Sequence, residues 1–189
     1  MKKLRTVLAL CIGALLLSSC SLIPQSKGPV AIAKLKIPFG LLDKNIPGTN
    51  TSVQFSRAPI YLIRAGRLVI SRRVVIAPAQ VVDVLNQLLL HLTPLEIATH
   101  EQSAVPNGLQ ILQVSVINGA ARVNLASSIS AFNLLEHPIA IGQIVLTAQA
   151  AGAHNGVIFA IEGVRQNATL PSGKTAGRVF AYEYSQFVN

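Results

Sequence analysis

The chain has 189 residues, 51% of them hydrophobic and only 12% charged, with a formal net charge of +9. That balance excludes a disordered chain and, at about 100–200 residues per domain, leaves room for one domain and a linker. The two cysteines both lie in the N-terminal apolar run, which excludes a disulfide-stapled scaffold, so the core has to stand on burial.

A basic head, MKKLR, precedes the apolar run TVLALCIGALLL. These have the form of the n-region and h-region of a secretory signal peptide. The run is too short for a spanning helix, which needs about 20 apolar residues. Next comes Leu17-Ser18-Ser19-Cys20, which resembles the lipobox of bacterial lipoproteins. The resemblance implies that Leu17, Ser18 and Ser19 are read by the signal peptidase, that residues 1–19 are removed, and that Cys20 carries a diacylglyceryl group. The thiolate of Cys20 is then an alkylation site, and two acyl chains exceed the single-chain limit of marginal anchoring. The bland alternative is an unpaired cysteine in an uncleaved helix. Loss of Lys2, Lys3 and Arg5 leaves 13 basic against 7 acidic side chains, a formal +6. A positive, membrane-tethered, extracytoplasmic protein has anionic lipid headgroups or acidic wall polymers as neighbours, and no nucleic acid partner is expected there.

Residues 20–57 form a linker with four prolines and many small polar residues. As a flexible coil it would reach about 35 Å. Its AIAKLKI stretch alternates, which leaves two readings: part of the linker docks on the domain or forms an edge strand, or it lies on the membrane with its lysines at the headgroups.

Residues 58–189 carry the regular pattern. IYLI and RLVI flank Arg64-Ala65-Gly66-Arg67 and predict a hairpin. In AQVVDVLNQLLLHL, residues 79–92, Val81, Val82, Leu85, Leu88, Leu89 and Leu92 fall on one helical face. Thr93-Pro94-Leu95-Glu96 has the N-cap, N1 proline and N3 glutamate of a capping box, so a short helix starts there. In LQILQVSVINGAARVNLAS, a two-residue turn at Asn118-Gly119 makes opposed residue numbers sum to 237. One face then pairs Leu112 with Leu125, Val114 with Val123 and Val116 with Ala121. The other pairs Gln113 with Asn124 and Ser115 with Arg122, and a one-residue slip would destroy that sorting. SSISAFNLLEHP reads as a connection. Residues 138–152 read as a helix from proline to glycine, its Gly142 marking a close helix-to-sheet approach. VIFAIEG reads as a strand, and the remainder as a looser closing segment. The order predicts an α+β domain, a mixed or antiparallel sheet with helices on one face.

The ordered series APIYLIRAGRLVISRRVV, helix, T-P-x-E turn, VPNG, SVINGAARVNLASS, a helix carrying QIVLT, and VIFAIEG resembles the GerMN domain of Gram-positive lipoproteins over about residues 58–170. IPFGLLD resembles the lead-in of actinobacterial members. The resemblance implies a fold similar to the ring-building motif of secretion complexes, a link to spore germination and sporulation envelope proteins, and an interaction module rather than an enzyme. The chain departs from the family's known layouts in having one copy of the domain and no propeller.

Chemistry-bearing patterns are sparse. The acids Asp43, Asp83, Glu96, Glu101, Glu136, Glu162 and Glu183 form no pair that sequence alone marks for acid–base work. His91, His100, His137 and His154 show no metal-binding spacing and sit near element ends. No nucleophile elbow or phosphate loop occurs, and no cofactor or metal is expected. Asn167-Ala168-Thr169 fits a glycosylation sequon only formally. Five arginines, Arg57, Arg64, Arg67, Arg72 and Arg73, crowd the first hairpin. The ordinary reading is a charged edge that guards against strand pairing. The functional one is a patch for an anionic partner, since the guanidinium fork suits phosphate or carboxylate. The sequence thus points to a non-enzymatic, lipid-anchored module for an envelope protein partner, with an anionic envelope polymer or small ligand as the alternative.

Overall fold

The computed structural model describes residues 53–189. The signal segment, Leu17, Ser18, Ser19, Cys20, Asp43 and the linker to residue 52 lie outside the described residues.

Strands β1 (Phe55–Arg64) and β2 (Arg67–Ile76) form an antiparallel hairpin in which Arg64 opposes Arg67 and Phe55 opposes Ile76. The hairpin begins at Phe55, ahead of the boundary expected at residue 58, because Phe55, Ser56 and Arg57 are already paired. Its turn, Ala65-Gly66, has positive φ at both residues, as a two-residue hairpin loop that follows the strand twist requires.

Helix α1 (Val81–Leu89) buries Val81, Val84, Leu85 and Leu88 and is capped where the Asp83 carboxylate accepts the main-chain N–H of Gln80. Helix α2 (Pro94–Ala98) starts at the expected capping box, in which Thr93 N–H donates to Glu96 and Glu96 N–H donates to Thr93 Oγ1.

Strands β3 (Ile111–Ile117) and β4 (Ala120–Leu125) take the expected register from Gln113–Asn124 through Val116–Ala121. Both turn residues, Asn118 and Gly119, have positive φ. At the far end the expected Leu112–Leu125 pair is replaced: Leu125 opposes Ile111, and a bulge turns Leu112 outward, where it is exposed.

The segment read as a connection is helix α3 (Ile129–Glu136), whose Ser128 side chain accepts from Ala131 N–H. A second helix, α4 (Pro138–Ala150), follows, buried from Ala140 to Ala148. Together they cross from β4 to β5 (Val157–Ile161), which lies parallel to β4, since parallel neighbours need a long crossover. Among the described residues no single helix is long and apolar enough to cross a membrane.

Strand β6 (Val164–Gln166) completes a four-stranded mixed sheet in the order β3-β4-β5-β6. The short pair β7 (Ala168–Thr169) and β8 (Thr175–Ala176) and a 3₁₀ helix (Ala181–Phe187) close the chain.

The first hairpin does not join the four-stranded sheet. Side chains of α4 meet its edge instead: Tyr61 N–H donates to Thr147 Oγ1 at 3.0 Å, and Gln143 Nε2 donates to the Tyr61 carbonyl at 2.8 Å. Gln143 and Thr147 are completely buried, so these bonds answer the polar groups of helix and strand together.

Gly142 of α4 marks a close approach, though not to the main sheet. A Cβ there would lie 3.0 Å from the Tyr184 ring and 3.2 Å from Leu68 of β2. The core joins Ile60, Leu62, Leu85, Ile141 and Ile144 to the inner column of the four-stranded sheet, Val123, Leu125, Val157, Phe159 and Ile161.

Candidate functional site

The structure divides the five arginines of the first hairpin. Directly opposed residues share a face, and Arg57 stands opposite Val74 while Arg72 stands opposite Pro59. Both are exposed on one face of the ribbon. Arg64 and Arg67 flank the turn in the other column, and Arg67 reaches back to the Gln186 carbonyl at 3.3 Å. Arg73 is removed from any surface patch. It is 6% exposed, and its fork meets Glu96 at 2.7 Å (Nη2–Oε2) and 2.9 Å (Nε–Oε1), a bidentate, charge-assisted pair. Its remaining donors reach the carbonyls of Gln87, Leu90 and His91. Burial by itself would raise the Glu96 carboxyl. The hydrogen bonds from Arg73 and Thr93 and the Arg73 charge outweigh it and hold the group at about 2. This cluster ties α2 to β2 and locks the end of α1, which is a structural task.

The histidines stay apart: His91, His100, His137 and His154 are all exposed, in loops or at helix ends. Among the described residues no three His, Cys, Asp or Glu side chains come together to hold a metal ion. Asp83 and Glu183 serve as helix caps, and Glu162 accepts from Ser127 N–H. Glu101 is buried near Arg73 and Glu96, and its Oε2 has no hydrogen-bond partner among the described residues. A depression of about 820 Å³ lies between residues 88–92, Ile97 and residues 103–110. His91 is its one titratable lining residue, so it assembles no reactive set.

The more distinctive surface is the second face of the four-stranded sheet. On the inner face Ala121, Val123 and Leu125 stand beside Val157, Phe159 and Ile161 and are buried. On the outer face Ser115 opposes Arg122, which stands beside Ile158, and Gln113 opposes Asn124, which stands beside Ala160 and then Arg165. The closing segment adds a second edge here, because Val179 bridges Val157. Val179 is buried, while its neighbours Arg178 and Phe180 line the outer face.

Several of these groups are held by the main chain. Arg122 Nη2 donates to the Gly163 carbonyl at 2.6 Å, Gly163 N–H donates to Asn124 Oδ1 at 2.7 Å, and Arg165 Nε donates to the Gly177 carbonyl at 3.2 Å. Phe180 stacks on Tyr182 with centroids 5.5 Å apart. Two shallow depressions, about 410 and 200 Å³, share Ser115 and Arg122, and no acid lines either. The sequence placed Arg122 on a polar face; Arg165 and Arg178, lying in the segment read as loose, were missed.

Fold and surface together define an α+β domain whose described residues present a basic outer sheet face. The chain belongs to the Germane family, described as sporulation and spore germination, whose family model matches residues 51–167. Among solved structures it is similar to the tandem GerMN domains of the sporulation protein GerM from Bacillus subtilis, at 12% identity and a TM-score of 0.45. That match covers 67% of this chain and 46% of the other, so the chain spans less than half of the tandem structure. It is also similar to a provisionally assigned lipoprotein from Clostridium perfringens, at 11% identity and a TM-score of 0.34, covering 66% of this chain and 87% of that one. A search of curated proteins finds no match.

Proposed function

We propose that the chain is a lipid-anchored, extracytoplasmic Germane-family module that performs no catalysis and binds an envelope protein partner on the outer face of its four-stranded sheet. The observation that carries this reading is the arrangement of Arg122, Arg165 and Arg178 on the outer sheet face, two of them fixed by bonds to main-chain carbonyls. Guanidinium groups held this way give direction to recognition of a carboxylate-bearing surface, and the stacked Phe180 and Tyr182 add aromatic area of the kind enriched at interfaces. The lipobox-like Leu17-Ser18-Ser19-Cys20 supports the anchor.

The test is a photo-crosslinking residue at Ser115 in the full chain, used in the native envelope and followed by mass spectrometry. A crosslinked membrane protein that is lost with Arg122→Glu supports the reading. Crosslinks to wall polymer alone would replace the protein partner with an anionic polymer, the alternative that the basic face also fits. Metabolic labelling with an acyl-chain analogue checks the anchor separately: Cys20→Ala should abolish the label, and equal labelling of both forms would overturn it.

A further inference from the structure

The outward face of the first hairpin is apolar where a free ribbon would be polar. Phe55 opposes Ile76, Arg57 opposes Val74, and Ile70 lies further along the same column beyond Arg72. Phe55, Ile70, Val74 and Ile76 are each more than half exposed. The opposite column, with Ala58, Ile60 and Leu62, is buried in the core, and the exposed column is itself covered only at its turn end, where Leu68 is buried, so strand alternation leaves Phe55, Ile70, Val74 and Ile76 uncovered by any described element. Exposed large apolar side chains gathered on one face mark a contact site.

The charges narrow the choice of occupant. Neither β1 nor β2 contains an acidic residue, so a second copy laid face to face would bring Arg57 and Arg72 against like charges with no anion to answer them, which costs binding as the interface dries. Apolar side chains interleaved with arginines on a flat element match a bilayer surface that is anionic at the headgroups and apolar just beneath them. The chain's direction agrees. The described residues begin at exposed Val53, beside Phe55, and the residues before it run back to Cys20.

We infer that the Phe55–Ile76 face of the hairpin lies on the anionic leaflet, with Phe55, Ile70, Val74 and Ile76 at the acyl boundary and Arg57 and Arg72 on lipid phosphates, leaving the basic sheet face to serve the partner. The inference rests on the anchored reading above.

The chain contains no tryptophan, so one introduced residue reports alone. The full chain is purified from its membrane as Val74→Trp, as Phe55→Trp for a second reporter, and as Ile129→Trp for an exposed control on α3. Acylation is read by mass, and each protein is reconstituted with lipids brominated near the headgroup. On phosphatidylglycerol vesicles the two hairpin reporters should be quenched several-fold more than the control, with blue-shifted emission. The excess should fall toward the control in phosphatidylcholine, or when Arg57→Glu and Arg72→Glu are added. Equal quenching at all three positions overturns the inference. So does a hairpin reporter shielded from both brominated lipid and aqueous acrylamide, which assigns the face to a protein or a second copy. An acylated chain with unquenched hairpin reporters loses this inference alone. A chain without acyl groups whose hairpin is still selectively quenched keeps it and loses the anchor.

Discussion

Arg73 and Glu96 show how far one pair of side chains can be reassigned by its surroundings. In sequence Arg73 is one of a crowd of arginines; in the fold it is a buried cation paired with the Glu96 carboxylate. Removing one partner strands the other, so Glu96→Ala should cost about 3–5 kcal/mol, read as a lowered denaturant midpoint. The pair also sets an acid limit. Glu96 sits at about 2 in the folded chain against 4.5 as the ordinary value. Unfolding therefore takes up a proton between those values, and the stabilisation, present in full above about pH 4.5, is lost as pH falls toward 2. A gap of about 2.5 units corresponds to roughly 3 kcal/mol. Denaturation of wild type at pH 6 and pH 3 should show that slope, and Glu96→Ala should lack this part of it. Arg73 was legible in principle. The register rule that sorted the second hairpin, applied to the first, sets Arg73 opposite Ala58 in the column of Ile60 and Leu62. The local density of arginines hid that column.

At the level of elements, what could be read depended on how cleanly one face is buried. The β3–β4 register was readable because polar and apolar pairs segregate, and it failed only at Leu112, where a bulge carries no compositional mark. Helix α3 escaped because Ile129 and Phe132 are exposed, which blurs the apolar stripe that periodicity detects. Its readable signal was Ser128, the cap whose hydroxyl accepts Ala131 N–H at 3.2 Å. Ser128→Ala should cost about 1 kcal/mol, whereas an unchanged melting temperature would show that α3 is held by packing alone. The turn at Asn118-Gly119 offers a sharper measurement. Gly119 has φ of +75° and sits against Asn155, whose Nδ2 donates to the Asn118 carbonyl. A β-branched residue resists that region, so Gly119→Val should destabilise by more than about 1 kcal/mol.

For the molecule as a whole, the segment expected to be loose is the one that closes the fold. Tyr184 is completely buried against Gly142 and Leu68, and burial, aided by the neighbouring Glu183 charge, pushes its phenol well above the usual range. Among the described residues its hydroxyl has no hydrogen-bond partner, so the ring, not the hydroxyl, stabilises. Tyr184→Phe should leave stability equal or raise it, because a desolvated hydroxyl is removed, while Tyr184→Ala should cost about 3–5 kcal/mol as a large aromatic is lost from the core. Packing of this kind lets the closing segment deliver Arg178 and Phe180 to the outer sheet face, bringing together residues far apart in the chain, a juxtaposition no local pattern announces. If that face recognises an anionic partner, Arg122→Glu with Arg178→Glu should shift stability by less than about 1 kcal/mol, since both side chains are exposed and the one bond lost, from Arg122 to the Gly163 carbonyl, is solvent-screened. Capture of the partner crosslinked through Ser115 should nevertheless fall sharply. Raising salt from 0.1 M to 1 M should weaken wild-type capture in parallel, as the Debye length contracts from about 10 Å to about 3 Å. Melting curves and crosslink yield, measured on the same preparations, separate recognition from folding. A double variant that melts normally and captures the partner as well as wild type at low salt would remove the sheet face from the binding surface.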